Sequence, residues 1–205
     1  MAGSSFMAMW VYTDTVKDHF MNPRNLWQED DESFKPDGVG EVGSLACGDQ
    51  MRVGIVVEDG KIKDLKWLTY GCASAIASTS MMSELAIGMP LADAYALTPD
   101  KITDALGGLP EHKFHCSVLG DKALRAAIDD YLEKNGLDNP YKALTAKIIC
   151  ECKNVTDHQI EELVKTDQAK TFEDLQRLTG CCTACGKCRG KIMEELNEFL
   201  HIYAK

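Results

Sequence analysis

Long apolar runs are missing from this 205-residue chain. No stretch of about 18 or more apolar residues occurs, which argues against a membrane-spanning helix and against a membrane role. The N-terminus, MAGSSFMAMW, lacks a basic region followed by a long apolar one, so no secretory leader is expected and a cytoplasmic location is. Its first eight residues read as a disordered extension. Positive charge is also short: 22 Lys and Arg stand against 32 Asp and Glu, for a net charge of −10. The deficit is lopsided, since residues 1–136 carry 12 basic and 21 acidic residues while residues 137–205 carry 10 and 11. Such a surface repels phosphate backbones, which excludes nucleic acid as an expected partner and favours a protein with a basic patch. No internal repeat or low-complexity tract is present. No nucleophile, base and orienting group recur in a pattern that would suggest hydrolysis, so the chain is not expected to be an enzyme.

Cysteine, in contrast, is plentiful, with nine in the chain. Without an export signal they do not suggest a disulfide framework, because a cytosol keeps thiols reduced. Metal binding or thiol chemistry is the better reading. The turn formers of NGLDNP, Asn135 to Pro140, follow a helical pattern through Leu124, Ala127, Ile128, Tyr131 and Leu132, and Gly136 suits that helix's C-terminus. This predicts a domain over residues 9–136, a linker over 137–146 and a second domain over 147–205.

In the first domain, MRVGIVVEDGKIKDLKWLTY predicts a β-hairpin. Val53, Ile55 and Val57 alternate with smaller or polar positions, as do Leu65, Trp67 and Thr69, and Asp59-Gly60 supplies the turn. Helices are predicted around Thr15 to Met21, from Ala73 to Ile87, from Thr98-Pro99 onward, and from about Cys116 to Lys134. Strands in one block with helices after them give an α+β fold. The second domain reads as all-helical. Thr156-x-x-Gln159 and Thr171-x-x-Asp174 resemble capping boxes, and Ile192, Met193, Leu196, Phe199 and Leu200 form one stripe of a last helix. About 60 residues make a marginal core, which a bound metal would staple.

Folding the hairpin about Asp59-Gly60 pairs positions whose numbers sum to 119, which sets Cys47 opposite Cys72 in the absence of a bulge. Asp49 then points to the same side as Cys47. Cys72 precedes one predicted helix and Cys116 begins another, where helix N-termini favour thiolates. His115 adds an imidazole. Three thiolates, a carboxylate and a histidine suit Zn(II), Fe(II) or an iron–sulfur cluster. The plainer alternative is that each cysteine is a small buried hydrophobe. His19 and His112 read as ordinary histidines.

The segments YTDTVKDHFMNPRN, GSLACGDQMR, TYGCASAIASTS and LPEHKFHCSVLG resemble the successive signatures of the IscU/NifU family of iron–sulfur scaffold proteins, over essentially all of residues 9–134. The resemblance implies that Cys47, Cys72 and Cys116 are persulfide and assembly thiols. It implies that Asp49 keeps a nascent [2Fe-2S] or [4Fe-4S] cluster labile enough for release, and that His115 is an alternative ligand to iron or zinc. In the bacterial IscU branch, a Leu-Pro-Pro-Val-Lys segment before His-Cys recruits an Hsp70-type chaperone. Here it reads Leu109-Pro110-Glu111-His112-Lys113.

The second domain carries a C-x-C, Cys150 and Cys152, and then GCCTACGKC with two overlapping C-x-x-C pairs. There are 32 residues between Cys152 and Cys185 and 29 between Cys152 and Cys182, and spacing alone does not choose. Four such thiolates could hold zinc as well as iron. This domain resembles the [2Fe-2S] domain of bacterioferritin-associated ferredoxin and the central domain of NifU: C-x-C, about 32 residues, C-x-x-C, then an amphipathic helix. The resemblance implies Cys150, Cys152, Cys185 and Cys188 as ligands of a permanent [2Fe-2S] cluster, with Cys182 the runner-up and Cys181 a spectator. No further C-x-x-C module follows, so the thioredoxin-like domain of full NifU is not expected.

Together these expectations describe a scaffold served by a cysteine desulfurase of the NifS/IscS kind. It would pass clusters to apo-proteins, nitrogen-fixation proteins among the possible clients, with an electron donor as a further partner and a homodimer as its state. Two other readings stay open: a [2Fe-2S] electron carrier whose first domain only docks a partner, and a zinc-stabilised interaction protein.

Overall fold

The computed structural model describes residues 12–28, 31–43, 50–109 and 114–203, the side chains of 114–118 and 144 excepted. The expected N-terminal extension, Cys47, Asp49 and His112 lie outside them. The chain divides into two compact units between Asn139 and Pro140.

The first unit begins with helix α1, Asp14–Met21, capped by the Thr13 hydroxyl accepting from the Val16 amide. Strands β1 (Gly38–Val42), β2 (Met51–Glu58) and β3 (Lys61–Thr69) form an antiparallel sheet in that order. Asp59 and Gly60 both take positive φ, 51° and 71°, as the twist-matched two-residue turn requires. Next come α2 (Ala73–Ala86), α3 (Leu91–Tyr95), α4 (Pro99–Ala105) and α5 (Phe114–Lys134). The Thr98 cap and the proline at the first position of α4 are as the sequence predicts. Ile62, Leu65 and Trp67 of β3, Met51, Val53 and Ile55 of β2, and Leu124, Ala127 and Ile128 of α5 are buried.

One expectation changes here. Near the turn the pairs Glu58↔Lys61 and Val57↔Ile62 keep the predicted register, but a bulge after Val56 moves every later pair by one, as in Val56↔Asp64 and Met51↔Thr69. The reason is visible in the burial pattern. Ile62 and Leu65, three apart, both face the core, and only an extra residue at Lys63 permits this. The hairpin register therefore does not set Cys72 directly opposite Cys47.

Two features locate the ends of the elements. Strand β1 lies so close to α5 that a Cβ on Gly40 would meet the Ala123 carbonyl at 2.0 Å, and one on Gly38 the Ala127 carbonyl at 2.2 Å. As the strand advances from 38 to 40 its partners on α5 recede from 127 to 123, so β1 and α5 run antiparallel. In addition, α2 is buried through Ser74, Ser78, Thr79, Ser80 and Ser83 as well as its alanines. Ser80 Oγ lies 2.8 Å from His19 Nδ1 and accepts from the Arg24 amide, and Ser83 Oγ accepts from Asn25 Nδ2. His19 is thus a buried structural group, 3% exposed.

The second unit is mostly helical, with α6 (Lys142–Thr145), α7 (Asp157–Lys165), α8 (Phe172–Thr179) and α9 (Arg189–Ile202). It is not all-helical as predicted. Strands β4 (Ile148–Cys150) and β5 (Val155–Thr156) form a short antiparallel ribbon. Both capping boxes are present, Thr156 with Gln159 and Thr171 with Asp174. Ile192, Leu196, Phe199 and Ile202 form the buried face of α9, while Met193 and Leu200 are half-buried.

Candidate functional sites

The antiparallel packing of β1 on α5 brings the end of β1 towards the start of α5. Strand β2 begins at that same end, since Val42 pairs with Met51, and β3 finishes there, since Met51 pairs with Thr69. Helix α2 follows three residues later, with Cys72 as its extended N-cap (φ −75°, ψ 171°). The Thr69 hydroxyl donates to the Gln50 carbonyl at 2.8 Å and accepts from the Gly71 amide, and the Tyr70 amide also reaches Gln50. Gln50, the residue after Asp49, is therefore tied to the turn that delivers Cys72. Cys72 is half-exposed, and its side chain makes no capping bond. His115 and Cys116 are the second and third residues of α5. One end of the sheet thus gathers the start of α2, the start of α5 and both flanks of the segment that carries Cys47 and Asp49. Sequence reasoning did not single out Thr69 and Gln50, because a bond between a hydroxyl and a carbonyl leaves no motif.

In the second unit Cys150 ends β4, and the Lys153 amide turns back to its carbonyl. Asn154, with φ 51°, completes the turn, so Cys152 sits exposed at the ribbon's tip. Gly180, with φ 71°, ends α8 and opens the loop that holds Cys181, Cys182 and Cys185. Cys188 caps α9.

Cys152 Sγ donates to Cys185 Sγ at 3.4 Å, and Cys182 Sγ lies 2.9 Å from Cys188 Sγ. The Cys182 amide, followed by the Cys188 thiol and the amides of Lys153 and Cys152, holds Cys150 below the ordinary thiol range despite its burial. The Lys187 amide and then the Cys152 thiol do the same for Cys185. Cys152 is pushed up, first by the bond it gives to Cys185. Burial and then the Cys188 thiol push Cys182 up to about 12. Cys181 is fully buried in the core.

Five thiols thus lie on two facing loops, with backbone amides aimed at three of them, Cys150, Cys152 and Cys185. Sulfurs about 2.3 Å from one tetrahedral metal stand about 3.8 Å apart, and the Cys152–Cys185 separation approaches this. Among the described residues no three His, Cys, Asp or Glu side chains yet close around a single point. The donor set, with thiolates favoured at Cys150 and Cys185 by N–H groups, fits an iron–sulfur or zinc centre.

Comparison with known proteins places these two units. Residues 11–138 match the family described as NifU-like N terminal domain, and residues 148–198 the BFD-like [2Fe-2S] binding domain. The chain is 48% identical over 134 residues to an iron–sulfur cluster assembly scaffold protein IscU of Archaeoglobus fulgidus, covering 65% of this chain and 85% of that one. It is 40% identical over 166 residues to the scaffold protein IscU of Aquifex aeolicus, covering 80% and 96%. Against the nitrogen fixation protein NifU of a Nostoc species the identity is 37% over 192 residues, covering 90% of this chain and 62% of that protein's length. With its first unit matched over residues 11–138 and its second carrying the [2Fe-2S]-binding module, the chain belongs to the NifU-like family of iron–sulfur scaffold proteins.

Proposed function

We propose that this protein assembles iron–sulfur clusters on its first unit and passes them to apo-proteins, while within its second unit a domain of residues 147–205 retains a [2Fe-2S] cluster on Cys150, Cys152, Cys185 and Cys188. The observation that supports the first half most strongly is the convergence of the α2 and α5 N-termini with both flanks of residues 44–49 at one end of the sheet.

The sulfur enters as persulfide from a cysteine desulfurase. A thiolate among Cys47, Cys72 and Cys116 attacks the outer sulfur, the S–S bond breaks, and the desulfurase thiolate leaves. Two electrons from an external donor then reduce the bound persulfide to sulfide and thiol. Iron held by the same thiolates, with Asp49 or His115, combines with that sulfide. Asp49, a harder oxygen ligand among soft sulfurs, weakens retention and favours release.

On the second unit, four cysteines and the amides of Cys182, Lys153 and Lys187 favour retention. A bound [2Fe-2S] centre there supplies one-electron chemistry. The protein works in the cytoplasm, as a homodimer, and without catalytic turnover of its own.

The test is reconstitution with a desulfurase, cysteine, Fe(II) and a thiol reductant, followed by transfer to an apo-ferredoxin. Cys72→Ala is expected to lose assembly and transfer while keeping the second unit's spectrum. Undiminished transfer would remove Cys72 from the assembly thiols, and a wild type that transfers no cluster while keeping the second unit's spectrum would favour the electron-carrier reading, in which the first unit only docks a partner.

A further inference from the structure

Cys182 has a backbone task that needs no thiol. Its amide donates to the Cys150 sulfur, and its φ of 59° is a left-handed conformation that cysteine seldom adopts. Glycine or asparagine would serve that backbone better. A cysteine stands there instead, and its Sγ lies 2.9 Å from the Sγ of Cys188. Both thiols are free, and about 0.9 Å of closure separates them from a covalent S–S bond. The exposed pair Cys152 and Cys185 stands further apart at 3.4 Å.

We propose that Cys182 and Cys188 form a reversible disulfide in the metal-free second unit, a modification site that withdraws one cluster ligand until it is reduced. The inference rests on the reading that Cys188, and not Cys182, is a ligand.

The oxidant is a low-molecular-weight disulfide of the glutathione class. One of the two cysteines, as thiolate, attacks it, forming a mixed disulfide and releasing one small thiolate. The other then attacks the protein sulfur of that mixed disulfide, the Cys182–Cys188 bond forms, and the second small thiolate leaves. The two protein thiols lose two electrons, the small disulfide gains them, and the two protons go to the released thiols. The modified protein keeps Cys150, Cys152 and Cys185, one ligand short of the set. An oxidised cell would thus hold the apo-protein in a recoverable form, not in one open to irreversible oxidation of Cys188.

The experiment uses the full chain, stripped of metal by chelation under reducing conditions and then exposed to oxidised glutathione. Differential alkylation with peptide mass mapping reads the pairing, and zinc binding before and after reduction reads the consequence. Protection of Cys182 and Cys188 together, with zinc binding at the second unit lost and then restored by dithiothreitol, is expected. Cys182→Ser, which keeps the backbone amide but cannot form the bond, is expected to remain zinc-competent after the same oxidation. A predominant Cys152–Cys185 bond, or glutathione adducts alone, would overturn the inference while leaving the ligand reading intact. Loss of the visible spectrum of the cluster-loaded protein in Cys182→Ser would make Cys182 a ligand and overturn both.

Discussion

The Thr69 hydroxyl donates to the carbonyl of Gln50 across 2.8 Å, joining the residue after Asp49 to the strand that leads into Cys72. Thr69→Val removes the donor and leaves a part-buried carbonyl with one bond fewer. This is expected to cost about 1–2 kcal/mol of first-unit stability, read from the urea midpoint. Cluster formation on the first unit should slow, while the spectrum of the second unit stays unchanged. Equal loss at both units would mean that the bond does not act on the first site.

Two glycines should respond oppositely to the same substitution. A methyl at Gly40 meets the Ala123 carbonyl at 2.0 Å, so Gly40→Ala must push β1 off α5, at a cost of about 1–3 kcal/mol. Gly190, in the first turn of α9, has open space around it. Gly190→Ala should therefore stabilise the second unit by up to about 1 kcal/mol. Thermal melts of the two variants read both effects.

Burial, and then the Arg24 guanidinium, hold His19 below the ordinary imidazole range, with Glu84 and Asp18 pulling the other way. The folded unit keeps His19 neutral while the unfolded chain protonates near pH 6.5. Stability is thus fully present above that pH and declines as pH falls towards the folded value. The urea midpoint of the first unit should drop between about pH 7.5 and about pH 5.5. His19→Gln should flatten that drop.

Thr171 and Asp174 cap α8 reciprocally, and the Thr171 hydroxyl, followed by Arg177, holds the Asp174 carboxyl at about 2. Thr171→Ala is expected to cost about 1 kcal/mol. A melt of the second unit checks this, and a change below a few tenths would contradict it.

Much of the fold was legible because local chemistry dictates it. Asp59-Gly60 can make only a tight turn of the primed kind, Thr98-Pro99 can begin a helix, and both capping boxes satisfy amides that would otherwise be orphaned. The bulge at Lys63 was not legible, since it exists to turn Ile62 inward alongside Leu65, a demand of the core and not of the strand. Strand β1 escaped notice because Gly38 and Gly40 are weak strand formers, selected for close approach to a helix some 85 residues away. The ribbon of β4 and β5 is too short to leave a periodic signal. At the sites, the cysteines themselves announced metal or thiol chemistry, and resemblance supplied their roles. The amides of Cys182, Lys153 and Lys187 had no signature, because any residue brings the same N–H and only the loop decides where it points.

The central claim is that one unit builds clusters for release while the other keeps its own. The most direct measurement is the visible absorption spectrum of anaerobically purified protein, with iron, zinc and sulfide analysis on the same sample, for the wild type and Cys185→Ala. A red-brown wild type holding about one [2Fe-2S] unit per chain, bleached in Cys185→Ala, is the predicted result. A colourless, zinc-loaded wild type would contradict the account of the second unit.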